Sequence, residues 1–129
     1  MKAKTDIWRK KPGEHDYAAA EKYLSLLIKP AQAKATVRAL RRASTVHYQA
    51  KDLLRASQTH LLGGDNPSVA EDLKKIKKGK KLSPVLVVRG NAANNVTLTI
   101  ADGYHRICAS WQWNEDLEIA CCIADLRHG

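Results

Sequence analysis

Apolar residues recur along this chain at two periods, and the change from one to the other divides it into helices and strands. Tyr17, Ala20, Leu24, Leu27 and Ile28 return at helical spacing, which predicts a helix over 14–28 with one face turned inward. Pro30 either closes that helix or opens the next. Ala33, Val37 and Leu40 mark a second helical run over 31–43, with Arg38, Arg41 and Arg42 in its last turns, where cations complement the helix dipole. The two runs read as a helical hairpin. Residues 44–48 suit extended chain, and 51–56 suit either a strand or a helical turn. Gly63–Pro67 is a loop, after which Pro67 opens a helix to about Lys78. Asn66 is its expected cap, Val69, Leu73 and Ile76 its inward stripe, and Gly79 its stop.

The later part of the chain changes period. Val85-Leu86-Val87-Val88, after Ser83-Pro84, is a short apolar strand. Asn91 to Asn95 form a polar turn, and Val96 to Ile100 a second strand antiparallel to the first. A helix is expected from Gly103 to about Trp113, and a third strand over 117–124. The fold class expected is α/β (α+β): a small mixed sheet flanked by helices, with the N-terminal hairpin packed on it. The division expected is 1–48, a charged arm docked through Trp8 plus the hairpin, and 49–129, the sheet-bearing domain, together forming a compact unit.

Composition adds partners rather than fold. Lys and Arg number 22 against 13 Asp and Glu, a formal net charge of +9 that favours nucleic acid, nucleotides or other acidic partners, or is a basic surface without a specific one. No apolar run approaches the ~20 residues of a membrane span, and the N-terminus is charged, so no membrane association and a cytoplasmic location are expected. The cysteines are Cys108, Cys121 and Cys122; adjacent strand residues face opposite ways, so buried thiols are expected rather than a disulfide framework, zinc or an iron–sulfur cluster.

The candidate chemistry lies where the second strand meets the next helix, at Asp102-Gly103-Tyr104-His105-Arg106. A helix start offers unpaired N–H groups and the positive end of a dipole, and glycine permits close approach to the backbone. These features point to an anion site, with phosphate bound by Gly103, Tyr104, His105 and Arg106. Tyr104, Ile107, Cys108 and Trp111 share the face expected to meet the sheet, leaving His105 and Arg106 at the helix mouth. A cation at that end calls for an anionic neighbour, either a ligand or a carboxylate such as Asp102 or Asp72. Asp102 has alternative roles as helix cap, Mg²⁺ ligand or, with His105, catalytic group. Lys74 to Lys81 include six lysines; Lys77, Lys78, Lys80 and Lys81 are either a solvated face or a surface that tracks DNA phosphates.

The layout of helix, Gly79, the 83–88 strand, turn, strand, Asp102-Gly103-Tyr104-His105-Arg106 and closing strand resembles the ParB/sulfiredoxin-like superfamily, including the domains called ParB-like nuclease, over about residues 50–125. A narrower bacterial group is similar in layout. In chromosome-partitioning ParB proteins a Gly-Glu-Arg-Arg motif binds nucleotide phosphates; Gly103 and Arg106 match it, with Tyr104 and His105 in place of Glu and Arg. In sulfiredoxins a Gly-Cys-His-Arg motif carries the nucleophile; Tyr104 stands at the cysteine position, so reductase activity is not expected. The free serine kinases of this fold carry an Asp-Gly-His-type motif similar to Asp102, Gly103, His105 and Arg106, with Asp65, Glu71 or Asp72 as alternative bases. The resemblance implies a nucleotide or other phosphorylated ligand, with Mg²⁺ as a companion and phosphoryl transfer or nucleotide hydrolysis as the chemistry that could follow. The alternative functions are a non-catalytic DNA-binding or regulatory module, with the lysine run and Arg38, Arg41 and Arg42 on phosphates, and a protein-interaction partner whose turn has lost its ligand; residues 1–48 are a candidate homodimer surface.

Overall fold

The computed structural model describes residues 7–128. Helices α1 (Glu14–Leu24) and α2 (Pro30–Arg42) come first, followed by β1 (Val46–Gln49), α3 (Ala50–Ser57), α4 (Pro67–Lys77), β2 (Val85–Val88), β3 (Thr99–Asp102), α5 (Tyr104–Trp113) and β4 (Glu118–Ala124), with a short 3₁₀ turn at Ala92–Asn94. The four strands lie in the order β1-β4-β2-β3. Strand β4 runs antiparallel to β1 and parallel to β2, and β3 is antiparallel to β2, which makes the sheet mixed, as expected.

Side-chain alternation on the central strands builds a core on each face. Val85, Val87, Ile119 and Cys121 face α3, α4 and α5, meeting Leu53, Leu54, Val69, Ile76 and Ile107. Leu86, Val88 and Cys122 face the opposite way, meeting Tyr17, Ala20, Leu24, Val37 and Leu40 of the α1–α2 hairpin. Cys121 and Cys122 therefore lie in different cores, and all three cysteines are free and buried. Burial pushes the Cys121 thiol up to about 12.

The helix ends follow their local chemistry. Asn66 Oδ1 accepts from the N–H groups of Ser68 and Val69 at 3.0 and 3.1 Å, with Pro67 in the first turn. Gly79 takes φ +78° after α4; its N–H reaches Ile76 O and that of Lys80 reaches Lys75 O, a left-handed C-terminal closure. The N-terminal arm docks through Trp8, whose side chain is buried and whose indole N–H donates to Glu118 O at 3.1 Å, while its neighbours exchange bonds with Leu82.

Several expectations need correction. Helix α1 stops at Leu24, where Ser25 Oγ donates to Lys22 O and a tight turn follows; Leu27 is consequently 56% exposed rather than part of the core. The extended stretch at 44–48 becomes a fourth strand over 46–49, and of the two alternatives for 51–56 the helical one forms, lengthened to 50–57. The strand expected over 96–100 is displaced to Thr99–Asp102: Val96 makes only an isolated bridge to Asn91, and Leu98 N–H bonds to Ala56 O of α3.

Candidate functional site

Strand β3 delivers Asp102 to the top of the sheet, and the chain turns at Gly103 directly into α5. Gly103 has φ +108°, a left-handed conformation that disfavours any side chain. A Cβ there would also overlap the Val85 side chain and lie 2.8 Å from Arg106 Nη2. The glycine is thus required by the packing of turn against sheet, independently of any ligand. Its carbonyl accepts from Ile107 N–H at 3.0 Å, and no side chain caps the helix.

Asp102 is accordingly not the helix cap. Its Oδ2 accepts from Arg106 Nη2 at 2.9 Å, with both side chains largely buried. Arg106 also directs Nη1 toward Asp16 Oδ1 at 3.4 Å and Nη2 toward Pro84 O at 3.4 Å. Asp16 lies in the first turn of α1, its side chain only 2% exposed, and its Oδ2 accepts from Gly13 N–H at 2.8 Å. The guanidinium is therefore clasped between carboxylates from β3 and α1, while its Nε and the Ser110 hydroxyl are buried without a partner among the described residues.

The two acids respond differently. Burial pushes the Asp102 carboxyl above its ordinary value, opposed by Arg106 and reinforced by Asp16. Burial also works against ionised Asp16, but the Gly13 N–H, Arg106 and the Ser83 hydroxyl together hold it below its ordinary value. Asp16 is the ionised partner that the fold favours. Asp72, across from the turn on α4, is raised by burial, with its nearest cation Lys75 at 3.7 Å. Arg106 finds its anion in Asp102 as one alternative foresaw, and in Asp16, which sequence reasoning missed. Asp16 three residues after Gly13 is a local signal for a helix start, but nothing local foretells a partner 90 residues away.

Two cavities meet at the turn. The larger, about 660 Å³, runs between α1 and the exposed edge of β3 and ends at Asp102, Gly103, Tyr104 and His105. Tyr23, Leu27, Leu98 and Ile100 give it apolar walls, and Ser57, Thr59, Thr97 and Thr99 give it hydroxyls. The smaller, about 270 Å³, lies between the first turns of α4 and α5 and adds Ser68, Glu71, Asp72 and Arg106. Tyr104 is oriented by a hydrogen bond from its hydroxyl to His60 O, and His105 leans against its ring with centroids 5.4 Å apart. Gly103, Tyr104 and His105 are thus brought together on the cavity walls, whereas Arg106 supports them from behind and from the smaller cavity. Asp65 lines neither cavity.

Among the described residues no group of three His, Cys, Asp or Glu side chains gathers. The carboxylate proposed for Mg²⁺, Asp102, already holds the Arg106 guanidinium. Of the lysine run, Lys77, Lys78 and Lys80 are exposed at or just beyond the C-terminal end of α4, whereas Ser68 lies in its first turn and Glu71 near its middle. None of these three lysines lines either cavity at the turn. No helix among the described residues is long and apolar enough to cross a membrane. Comparison with family models, with curated proteins and with solved structures finds no match to this chain.

Proposed function

We propose that this protein binds a nucleotide or similarly sized phosphorylated ligand in the larger cavity, with a phosphate at the start of α5. The observation that carries the reading is the termination of an approximately 660 Å³ cavity on a helix start without a side-chain cap. The first N–H groups of α5 have no intrahelical acceptors and point along the helix axis, the arrangement that holds phosphate elsewhere. His105 adds a donor at the same place. Along the cavity, Tyr23, Leu27, Leu98 and Ile100 suit a base, and the Ser and Thr hydroxyls suit a sugar. Arg106 is the positioning residue: its charge is met by Asp16 and Asp102, and it fixes the turn rather than gripping the ligand. The ParB/sulfiredoxin-like resemblance of the sequence, in which this turn is the ligand-binding one, implies the same class of ligand.

The test is a thermal-shift panel with ATP, ADP, CTP and GTP, each with and without Mg²⁺, since a ligand that binds only the folded state raises the melting temperature. One nucleotide should produce a saturable shift. Ala19 lies exposed on the α1 wall, so Ala19→Trp fills the cavity without touching the core and should abolish the shift. His105→Ala should weaken it. A panel without any shift, or a shift unaffected by Ala19→Trp, would remove this reading.

A further inference from the structure

A second basic feature lies on the outer face of α2. Arg38 and Arg42, one helical turn apart, face the segment that follows β4, and together with Arg127 and His128 they line a cleft of about 380 Å³ floored by Ala35 and Ala39. The segment is fixed there, because Arg127 N–H donates to the hydroxyl of buried Thr36 at 3.1 Å. Its acid is turned to another partner: Asp125 pairs with Arg89 at 2.8 Å. Arg41, which the sequence grouped with its neighbours, leaves the set as well. It bonds Glu14 at 2.6 Å and lies over the Tyr17 ring. Arg38, Arg42 and Arg127 are exposed and form no ion pair among the described residues.

We infer that this cleft binds the phosphodiester backbone of nucleic acid. Like charges converge here without a neutralising carboxylate on the lining, which is unfavourable unless an anion joins them. The lining holds two alanines, three arginines and the His128 imidazole, with no Phe, Tyr or Trp ring and no large apolar wall, so cationic donors dominate it and phosphate is the group it suits best. Arg38 and Arg42 lie about 6 Å apart along the helix axis, and Arg127 faces them across the cleft, which favours successive phosphates of a strand over a single small anion. The cleft shares no lining residue with the cavities at the Gly103 turn, so it stands or falls independently of the nucleotide reading.

The test is fluorescence anisotropy of a labelled short DNA duplex titrated with the full chain over a range of salt. The wild type should bind at low salt with a steep dependence of log K on log salt. Each phosphate contact contributes a slope of about 0.9, so Arg38→Ala/Arg42→Ala/Arg127→Ala should flatten it by roughly 2.7 and weaken binding by tenfold or more at low salt, on the order expected for lost phosphate contacts. The replaced side chains are exposed, and an unchanged circular dichroism melt will show that the variant is folded. Changing the same arginines to lysine should keep most of the slope, because phosphate is met there by charge. The proposal is overturned if the wild type does not bind duplex at low salt, or if the alanine variant keeps the wild-type slope while Lys77→Ala/Lys78→Ala/Lys80→Ala loses it. It is also overturned if inorganic tripolyphosphate raises the melting temperature through these arginines when DNA does not bind, which would reveal a small-anion site.

Discussion

Gly79 and Gly103 both adopt positive φ, yet their surroundings differ, and the difference predicts the cost of adding a methyl group. At Gly79 a Cβ would meet open space, so Gly79→Ala carries only the backbone penalty, about 1–2 kcal/mol. At Gly103 the same penalty adds to overlap with Val85 and Arg106, and Gly103→Ala should destabilise by about 3 kcal/mol or more. Urea unfolding of the two variants checks this ranking. Arg106→Ala is expected to be harsher still, about 3–5 kcal/mol, because it leaves Asp16 and Asp102 buried around a vacated cation. A double-mutant cycle pairing it with Asp16→Asn should show strong coupling between the residues. Loss of ligand binding in Arg106→Ala alone would therefore report on the integrity of the turn, which is why Ala19→Trp and His105→Ala serve as the probes of binding.

At the scale of the elements, the most local expectation is also the most easily tested. Asn66 caps α4 through two backbone N–H groups, and Asn66→Ala should cost about 1 kcal/mol in urea unfolding, whereas an Asp replacement should preserve most of the stability. This cap, the Gly79 stop, the buried run at 85–88 and the helix after Gly103 were legible because each is dictated by residues within a few positions of one another. Strand β1 was harder to read: its residues are mostly exposed, and its pairing with β4 joins Val46 to Cys121, far along the chain. The displacement of β3 by three residues has the same origin, since Leu98 satisfies its N–H on α3 rather than on a strand. The turn, and Arg38 and Arg42 as phosphate candidates, are legible in the sequence, whereas the clasp around Arg106 and the place of Arg127 beside those two arginines are not. Asp16 and Arg127 acquire their roles only through tertiary contacts to Arg106 and Thr36.

For the whole molecule, stability should depend on acids of opposite sign. Asp16 is held below its ordinary value, so its contribution is present above that value and is lost as pH falls through its value in the folded protein. Asp72 is raised by burial, so the fold favours its neutral form; that advantage is complete below the ordinary value of 3.8 and disappears as pH rises through the folded value. Asp16→Asn should therefore be destabilised at neutral pH and approach the wild type in acid. Asp72→Asn should improve relative to the wild type as pH rises. Urea unfolding at several pH values distinguishes the two trends; parallel profiles would contradict the assignment. The strand order bears on how such a chain is made. Strand β4 follows the other three strands of its sheet along the chain, yet it lies between β1 and β2 and receives the indole N–H of Trp8 at its first residue. As the polypeptide leaves the ribosome, β1 has no neighbour, β2 has one bare edge and the Trp8 indole has no acceptor until residues 118–124 emerge, although its neighbours can already bond Leu82. The sheet therefore closes only once β4 has emerged, and until then the nascent chain presents open strand edges, the surface that chaperones shield from aggregation.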